Sequence, residues 1–185
     1  MKTNFKLHLA TSKDKLRPVM QSILINQKEI VATDANILAV IPTEEIIQDG
    51  KELIPEDGLL IDSQIWKAIY NANSIYLRDT EEGIKIGGFF LNKPNLEFNT
   101  FKNKEFGTYP RYDQVVPQET AREDQARIGI NAKLLQNLSE ALNTPDGLKL
   151  EFNGKKKAIV ARPIKKANDQ EEAKRYGLIM QINID

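Results

Sequence analysis

The sequence contains no cysteine, so disulfide bridges and thiolate metal sites are excluded. A chain without cysteine suits a reducing cytoplasm, which is the location we expect. No run of about 18 apolar residues is present, and a membrane-spanning helix needs roughly that length. The first residues alternate apolar with polar side chains and do not form the apolar segment of a signal peptide. We therefore expect neither a membrane span nor a secretory leader.

Net charge is also absent, because 26 lysines and arginines balance 26 aspartates and glutamates. A protein that holds phosphate groups by bulk charge is usually basic overall. The balance therefore argues against a repressor or a nuclease that binds DNA tightly on its own. It leaves open a protein that encircles or grazes DNA, since such a protein needs only one weakly basic face.

Catalytic motifs are missing as well. The single histidine, His8, has no second histidine or cysteine with which to hold a metal, and Asp34 has no second carboxylate at metal-binding spacing. Gly87 and Gly88 lie in strand-like sequence without the Lys-Ser/Thr pair of a phosphate loop. No serine lies in the elbow motif of a serine hydrolase. We predict that the chain is not an enzyme and needs no cofactor.

What the chain does contain is a repeated pattern. At 185 residues, 41% hydrophobic and 28% charged, it is long and apolar enough for one large or two small globular domains. A short strand at 59–61 precedes a helix at about 63–73, where Asp62 or Ser63 is the candidate cap. Strand-like segments follow at 74–78, 83–88 and 89–98.

The same order returns in the last third of the chain. A strand at 127–130 precedes a helix at about 131–142 capped by Asn131, and strands follow at 148–153, 157–163 and 177–184. The first 55 residues carry strands at 5–9, 22–25, 29–33 and 37–41, but Pro18 leaves no room for a long helix. We predict an α+β fold of three β-α-β-β-β units, the first with a shortened helix.

Three segments resemble the bacterial sliding clamps, the beta subunits of DNA polymerase III. Residues 16–25 and 30–40, which include Val-Ala-Thr-Asp-Ala-Asn-Ile-Leu-Ala, resemble the arginine-proline segment and the Val-Ala-Thr-Asp-Gly-His-Arg-Leu-Ala turn of the clamp's middle domain. Residues 109–117, Tyr-Pro-Arg-Tyr-Asp-Gln-Val-Val-Pro, resemble its Phe-Pro-Asp-Tyr linker. Residues 177–182, Gly-Leu-Ile-Met-Gln-Ile, resemble its last strand, Tyr-Leu-Ile-Met-Pro-Val-Arg-Leu. The order of the segments also agrees.

The resemblance implies a DNA-clamp-like fold with an unusual division of the chain. Residues 1–117 resemble the middle domain, residues 118–126 form a linker, and residues 127–185 resemble the C-terminal half of the last domain. The implied function is that of a processivity or tethering factor in DNA replication or repair. The alternative is a regulatory module that forms no ring, retains the docking groove and intercepts the partners of a clamp.

Clamps receive partner peptides from polymerases and clamp loaders in a hydrophobic groove. Carried over residue by residue, the resemblance implies this lining: Thr33, Leu38, Pro110, Val115, Leu178, Ile179, Met180 and Ile182. The alternative is that these are ordinary core residues of strands. The chain departs from the family at Asn36-Ile37, Gln114, Gln181 and Asn183, so its preferred guest differs from the family's usual peptide.

In clamps, helices face the central hole and contact the DNA backbone loosely. The corresponding residues here are Lys67 and Lys133, although a lysine on a helix is more often plain solvated surface. The resemblance thus implies weak, sequence-independent contact with double-stranded DNA. We also expect homo-oligomers formed through strand edges, because the short first helix leaves apolar sheet surface around Leu24 and Val31 to be covered.

Overall fold

The computed structural model describes residues 4–102, 107–116, 129–144, 147–152, 158–164 and 174–182. Within these residues lie two α-helices, α1 at Ser63–Ile69 and α2 at Ala132–Ala141. The described part of the chain also contains twelve strands: β1 Ser22–Ile25, β2 Glu29–Thr33, β3 Ile37–Pro42, β4 Ile47–Asp49, β5 Leu59–Asp62, β6 Ser74–Thr80, β7 Gly83–Phe89, β8 Leu96–Asn99, β9 Phe101–Lys102, β10 Leu148–Glu151, β11 Ile159–Pro163 and β12 Tyr176–Ile179.

The strands form two sheets. Eight strands pair in the order β10-β11-β12-β3-β2-β1-β5-β9, and four pair in the order β4-β6-β7-β8. Every neighbouring pair is antiparallel except β4 and β6. With two helices and mostly antiparallel strands, the predicted α+β class is confirmed. The larger sheet contains strands from both ends of the chain, joined where β12 pairs with β3.

Both helices begin at a side-chain cap. The Asp62 carboxylate accepts a hydrogen bond from the backbone N–H of Gln64 at 2.7 Å. The Asn131 side chain accepts from the N–H groups of Lys133 and Leu134 at 3.0 and 3.3 Å. Each cap satisfies donors that the first helical turn would otherwise leave unpaired. The cap at Asn131 was predicted, and Asp62 is the correct choice of the two candidates for α1.

Several predicted elements differ in the structure. Residues 5–9 do not form a strand, since Leu7–Leu9 is a short 3-10 turn. Of the predicted strand 127–130, the structure describes residues 129 and 130, and Gly129 forms a single bridge to Ile182. The predicted strand 89–98 is interrupted by a turn before β8, and α1 ends at Ile69 instead of near residue 73. The short strands β4 and β9 were not predicted.

The eight-stranded sheet is apolar on both faces. On the inner face, alternate residues such as Ile23 and Ile25 pack with Trp66 of α1 and Leu138 of α2. On the outer face, Leu24 and its neighbours form a second cluster. Two buried faces account for strands that are almost continuously apolar, such as β3.

The predicted exposure of Leu24 and Val31 is wrong. Leu24 is 6% exposed and Val31 is fully buried, because Tyr109, Tyr112 and Val116 pack over this face of the sheet. The residues after β9 therefore supply the cover that we expected from a second copy of the chain.

The predicted division of the chain at residues 117 and 127 falls outside the described residues and stays a prediction. Strands β11 and β12 extend the sheet begun by β1–β3, and residues of α1 and α2 share one core cluster. The predicted linker, residues 118–126, lies outside the described residues.

Candidate functional site

A cavity of about 270 Å³ opens on the outer face of the large sheet, and we call it the outer cavity. Its walls come from the β2–β3 turn, from the segment 110–115 and from the end of β12. The lining residues are Met20, Thr33, Ala35, Asn36, Ile37, Leu38, Pro110, Arg111, Tyr112, Val115, Ala158, Leu178 and Met180. Six of the eight residues implied by the resemblance are therefore brought together: Thr33, Leu38, Pro110, Val115, Leu178 and Met180.

The register of three strands builds the floor of the outer cavity. Leu38 of β3 lies opposite Leu178 of β12 on one side and Thr33 of β2 on the other. Leu38 and Leu178 are each 3% exposed and belong to the outer cluster. Since side chains alternate along a strand, Ile179 points to the opposite face, where it is fully buried in the inner core. Ile179 is not a lining residue, which corrects that assignment.

Beyond β12 the chain leaves the sheet with apolar side chains exposed. The Met180 N–H donates to the carbonyl of Asn36 at 3.0 Å, which holds the Met180 side chain at the cavity mouth, 43% exposed. Ile182 is also exposed, but it bridges to Gly129 and does not line the outer cavity. Ile182 is thus the second implied residue that the structure separates from the site.

The β2–β3 turn is held by its own side chains. The Asp34 carboxylate accepts from the N–H groups of Asn36 and Ile37 at 2.8 and 2.9 Å. The Thr33 hydroxyl donates to the Ile37 carbonyl at 2.7 Å and accepts from the N–H of Ala35 at 3.2 Å. Ala35 adopts a φ of 74°, a conformation in which an L side chain costs about 1 kcal/mol. Asp34 and Thr33 therefore shape the wall.

Two tyrosines fix the segment that forms the opposite wall. The Tyr109 hydroxyl donates to the carbonyl of Val31 at 3.2 Å, and burial raises the pKa of that hydroxyl well above its usual range. The Tyr112 hydroxyl donates to Glu29 at 3.1 Å and accepts from Asn26 at 3.1 Å. Burial and the nearby Glu29 charge raise the pKa of Tyr112 to about 12. Both hydroxyl groups remain neutral at physiological pH and anchor the wall to β2 and to Asn26, which directly follows β1.

Arg111 supplies a positive charge to this otherwise uncharged lining. The guanidinium is exposed, and in the Gln114 orientation that satisfies both groups, the side-chain oxygen of Gln114 accepts from Nε and Nη2 of Arg111 at 3.2 and 2.9 Å. We did not single out Arg111 in the sequence. The available signal was its position in residues 109–117, where the Phe-Pro-Asp-Tyr motif has an aspartate.

The helices carry a second candidate surface with more mixed charge. Lys67 and Lys133 are both exposed, as a DNA contact would require. Lys6 lies nearby but pairs with Glu140 at 2.9 Å, and the Lys133 charge also acts on Glu140. Burial lowers the pKa of His8, and the charges of Lys67 and Lys6 lower it further. This surface therefore has three lysines, but Glu140 offsets part of their charge.

Metal and membrane sites find no support among the residues described. In that part of the chain, no three His, Cys, Asp or Glu side chains cluster closely enough to hold a metal ion. No helix there has the length and hydrophobicity needed to cross a membrane.

Comparison with solved structures identifies the fold. The structure is similar to the DNA polymerase sliding clamp from Bacillus subtilis, with a TM-score of 0.53 and 16% sequence identity over 96% of this chain. The DNA polymerase III beta chain from Streptococcus pneumoniae matches over 98% of this chain with 14% identity and a TM-score of 0.49.

No protein-family model matches the chain, and no curated protein matches it. The chain spans 62% of the length of the Bacillus subtilis protein and 61% of the Streptococcus pneumoniae protein. The fold expected from the resemblance is nevertheless confirmed, and the chain has the fold of the bacterial DNA polymerase sliding clamps.

Proposed function

We propose that this chain is a clamp-like docking protein, not an enzyme, which binds short partner peptides in the outer cavity. In this role it tethers a replication or repair protein to DNA. One observation carries the proposal: three segments that are remote in sequence, 33–38, 110–115 and 178–180, meet around a single apolar cavity. They are the segments in which the sequence resembles the clamp family.

The exposure of the cavity mouth favours docking over a purely structural role. Leu38 and Leu178 are buried like any core residue, but Val115 is 56% and Met180 is 43% exposed. Apolar side chains grouped at the mouth of a concave site are a common feature of binding surfaces. Methionine in particular adapts its shape to different guests. A peptide in the outer cavity would cover both side chains.

Met180→Glu tests the docking role. We expect peptides selected on the wild-type protein from a displayed library of random short peptides to bind this variant at least about tenfold more weakly, because a carboxylate would lose water when an apolar guest covers it. Met180→Leu should retain binding, since it keeps an apolar side chain of similar size. Fluorescence anisotropy with labelled peptides measures the affinities.

The control for Met180→Glu places the same charge elsewhere. Leu91 is 71% exposed and lies outside the lining of the outer cavity, so Leu91→Glu should leave peptide affinity unchanged. Equal binding to wild type and to Met180→Glu would show that the selected peptides dock at another surface, and the proposed function would then fail.

The assembly that we propose is a closed homo-oligomer around DNA. Among the described strands, the outermost are β9 and β10 in the larger sheet and β4 and β8 in the smaller, and outermost strands can pair with those of another copy. In a ring, Lys67 and Lys133 would face double-stranded DNA and bind it weakly and without sequence preference. A cytoplasmic location stays a prediction of the sequence.

The alternative function is a docking module that forms no ring. It is favoured by the net charge of zero and by the ion pair that neutralises Lys6. Light scattering at high protein concentration separates the two functions. We expect a closed multimer of defined mass whose binding to short linear duplexes is weak and falls steeply with salt. A monomer at every concentration would contradict the ring and leave the docking module.

A further inference from the structure

We propose that the guest of the outer cavity carries a carboxylate beside its apolar anchor, and that Arg111 selects it. This inference rests on the proposed docking function and adds the chemical class of the guest. Arg111 is the charged residue in a lining that is otherwise apolar or neutral. A guest that fills the cavity with apolar side chains therefore brings its neighbouring residues close to this guanidinium.

The guanidinium of Arg111 is oriented but keeps its charge uncompensated. Gln114 accepts from Nε and Nη2, which fixes one edge of the planar group. An amide oxygen is neutral, so this contact positions the side chain without cancelling its charge. The remaining N–H groups form no hydrogen bond within the described part of the chain and present the fork geometry that suits a carboxylate.

The carboxylates on the surrounding elements are engaged elsewhere. Glu29 on β2 accepts from the Tyr112 hydroxyl, and Asp34 accepts two backbone N–H groups inside its turn. Asp113 is exposed to solvent. Within the described part of the chain, Arg111 has no carboxylate within 4.0 Å. A carboxylate on the guest would be its first anionic partner.

The preference for an acidic guest should distinguish this chain from the family, because Arg111 departs from the family motif. The Phe-Pro-Asp-Tyr motif has an aspartate where this sequence has Arg111, so the charge on this wall is reversed. At Asn36-Ile37 the chain has neutral side chains where the family turn has His-Arg. The positive charge near the cavity is thus carried by a different wall, and a guest must place its acidic residue accordingly.

Peptide selection on matched variants tests this inference. Peptides from a displayed library of random short sequences would be selected separately on wild type, Arg111→Glu and Arg78→Glu. Arg78 is an exposed arginine of the smaller sheet and provides the matched control. We expect aspartate or glutamate beside apolar residues in the wild-type and Arg78→Glu selections. In the Arg111→Glu selection, lysine or arginine should replace them.

Peptide affinities then measure how much the charge of Arg111 contributes to binding. The best wild-type peptide should bind about three- to tenfold more tightly than its Asp→Asn derivative, as expected for a partly exposed, charge-assisted pair. This difference should disappear in Arg111→Gln and shrink as salt screens the charges. The Met180→Glu variant should weaken both peptides, and the acidic one more strongly, because the introduced carboxylate repels that of the peptide.

Failure of the role proposed for Arg111 can be distinguished from failure of the docking function. Peptides that lose binding in Met180→Glu but show no acidic bias, or whose Asp→Asn preference persists in Arg111→Gln, would overturn the role of Arg111 and leave the docking function intact. Peptides that bind Met180→Glu as tightly as wild type would overturn both proposals.

Discussion

Replacing Trp66 by alanine should lower the free energy of unfolding by about 3–5 kcal/mol, as for other large buried aromatic residues. Trp66 is fully buried on α1, and its indole Nε1 donates to the carbonyl of Phe5 at 2.7 Å. The truncation would leave a cavity in the inner core and a buried carbonyl without its donor. The same hydrogen bond ties the start of the described chain to α1.

Trp66→Phe separates the contribution of core packing from that of the hydrogen bond. It retains most of the apolar volume and loses the hydrogen bond to Phe5, so we expect a smaller loss of about 1–3 kcal/mol. Trp66 is the one tryptophan of the chain, so unfolding must be followed by far-UV circular dichroism in urea. A loss below about 1 kcal/mol for the alanine variant would contradict the packing described for the inner core.

Replacing Tyr109 by alanine should have an effect of similar size, and this one extends to the binding site. Tyr109 is 4% exposed and packs against the outer cluster, where its hydroxyl bonds to Val31. We expect a loss of about 3–5 kcal/mol in unfolding free energy. Because Tyr109 directly precedes Pro110 and Arg111, the wall of the outer cavity should lose its anchor, and affinity for selected peptides should fall at least about tenfold.

Tyr109→Phe is the matched control for this wall. It keeps the ring and removes the hydroxyl, so it should cost about 1–2 kcal/mol and leave peptide binding nearly unchanged. Urea denaturation gives the stabilities, and peptide anisotropy under conditions where both variants are folded gives the affinities. If Tyr109→Ala destabilised the protein but bound peptides like wild type, the segment 110–115 would not be a wall of the docking site.

The alternation of apolar and polar residues and the helix-capping residues predicted most of the strands and helices. These patterns failed where the structure of a segment depends on which strands are free to pair with it. Residues 5–9 alternate like a strand, but β1 already pairs with β2 on one side and β5 on the other. No edge near β1 remains for them, and Leu7 is buried in a 3-10 turn instead. Strand β9 escaped prediction because two residues are too short to show a period.

The candidate site was predicted through the resemblance more than through the pattern of residues. Matching motifs indicated the right segments, but which face each side chain takes depends on register. Leu178 and Ile179 are adjacent, and the pairing of β12 with β3 sends the first to the outer cavity and the second to the inner core. Arg111 was missed because the lining was predicted from residues that agree with the family motif, and Arg111 departs from that motif.

The pairing of β12 with β3 also determines when the outer cavity can exist. Strand β3 is buried along its whole length and lies in the middle of the finished sheet. During synthesis β2 emerges beside it, but its other edge has no partner until β12, the last of the described strands, leaves the ribosome. Until then β3 is an apolar open edge prone to pairing with other chains. Peptide docking and protection from aggregation thus arise in the same late folding step.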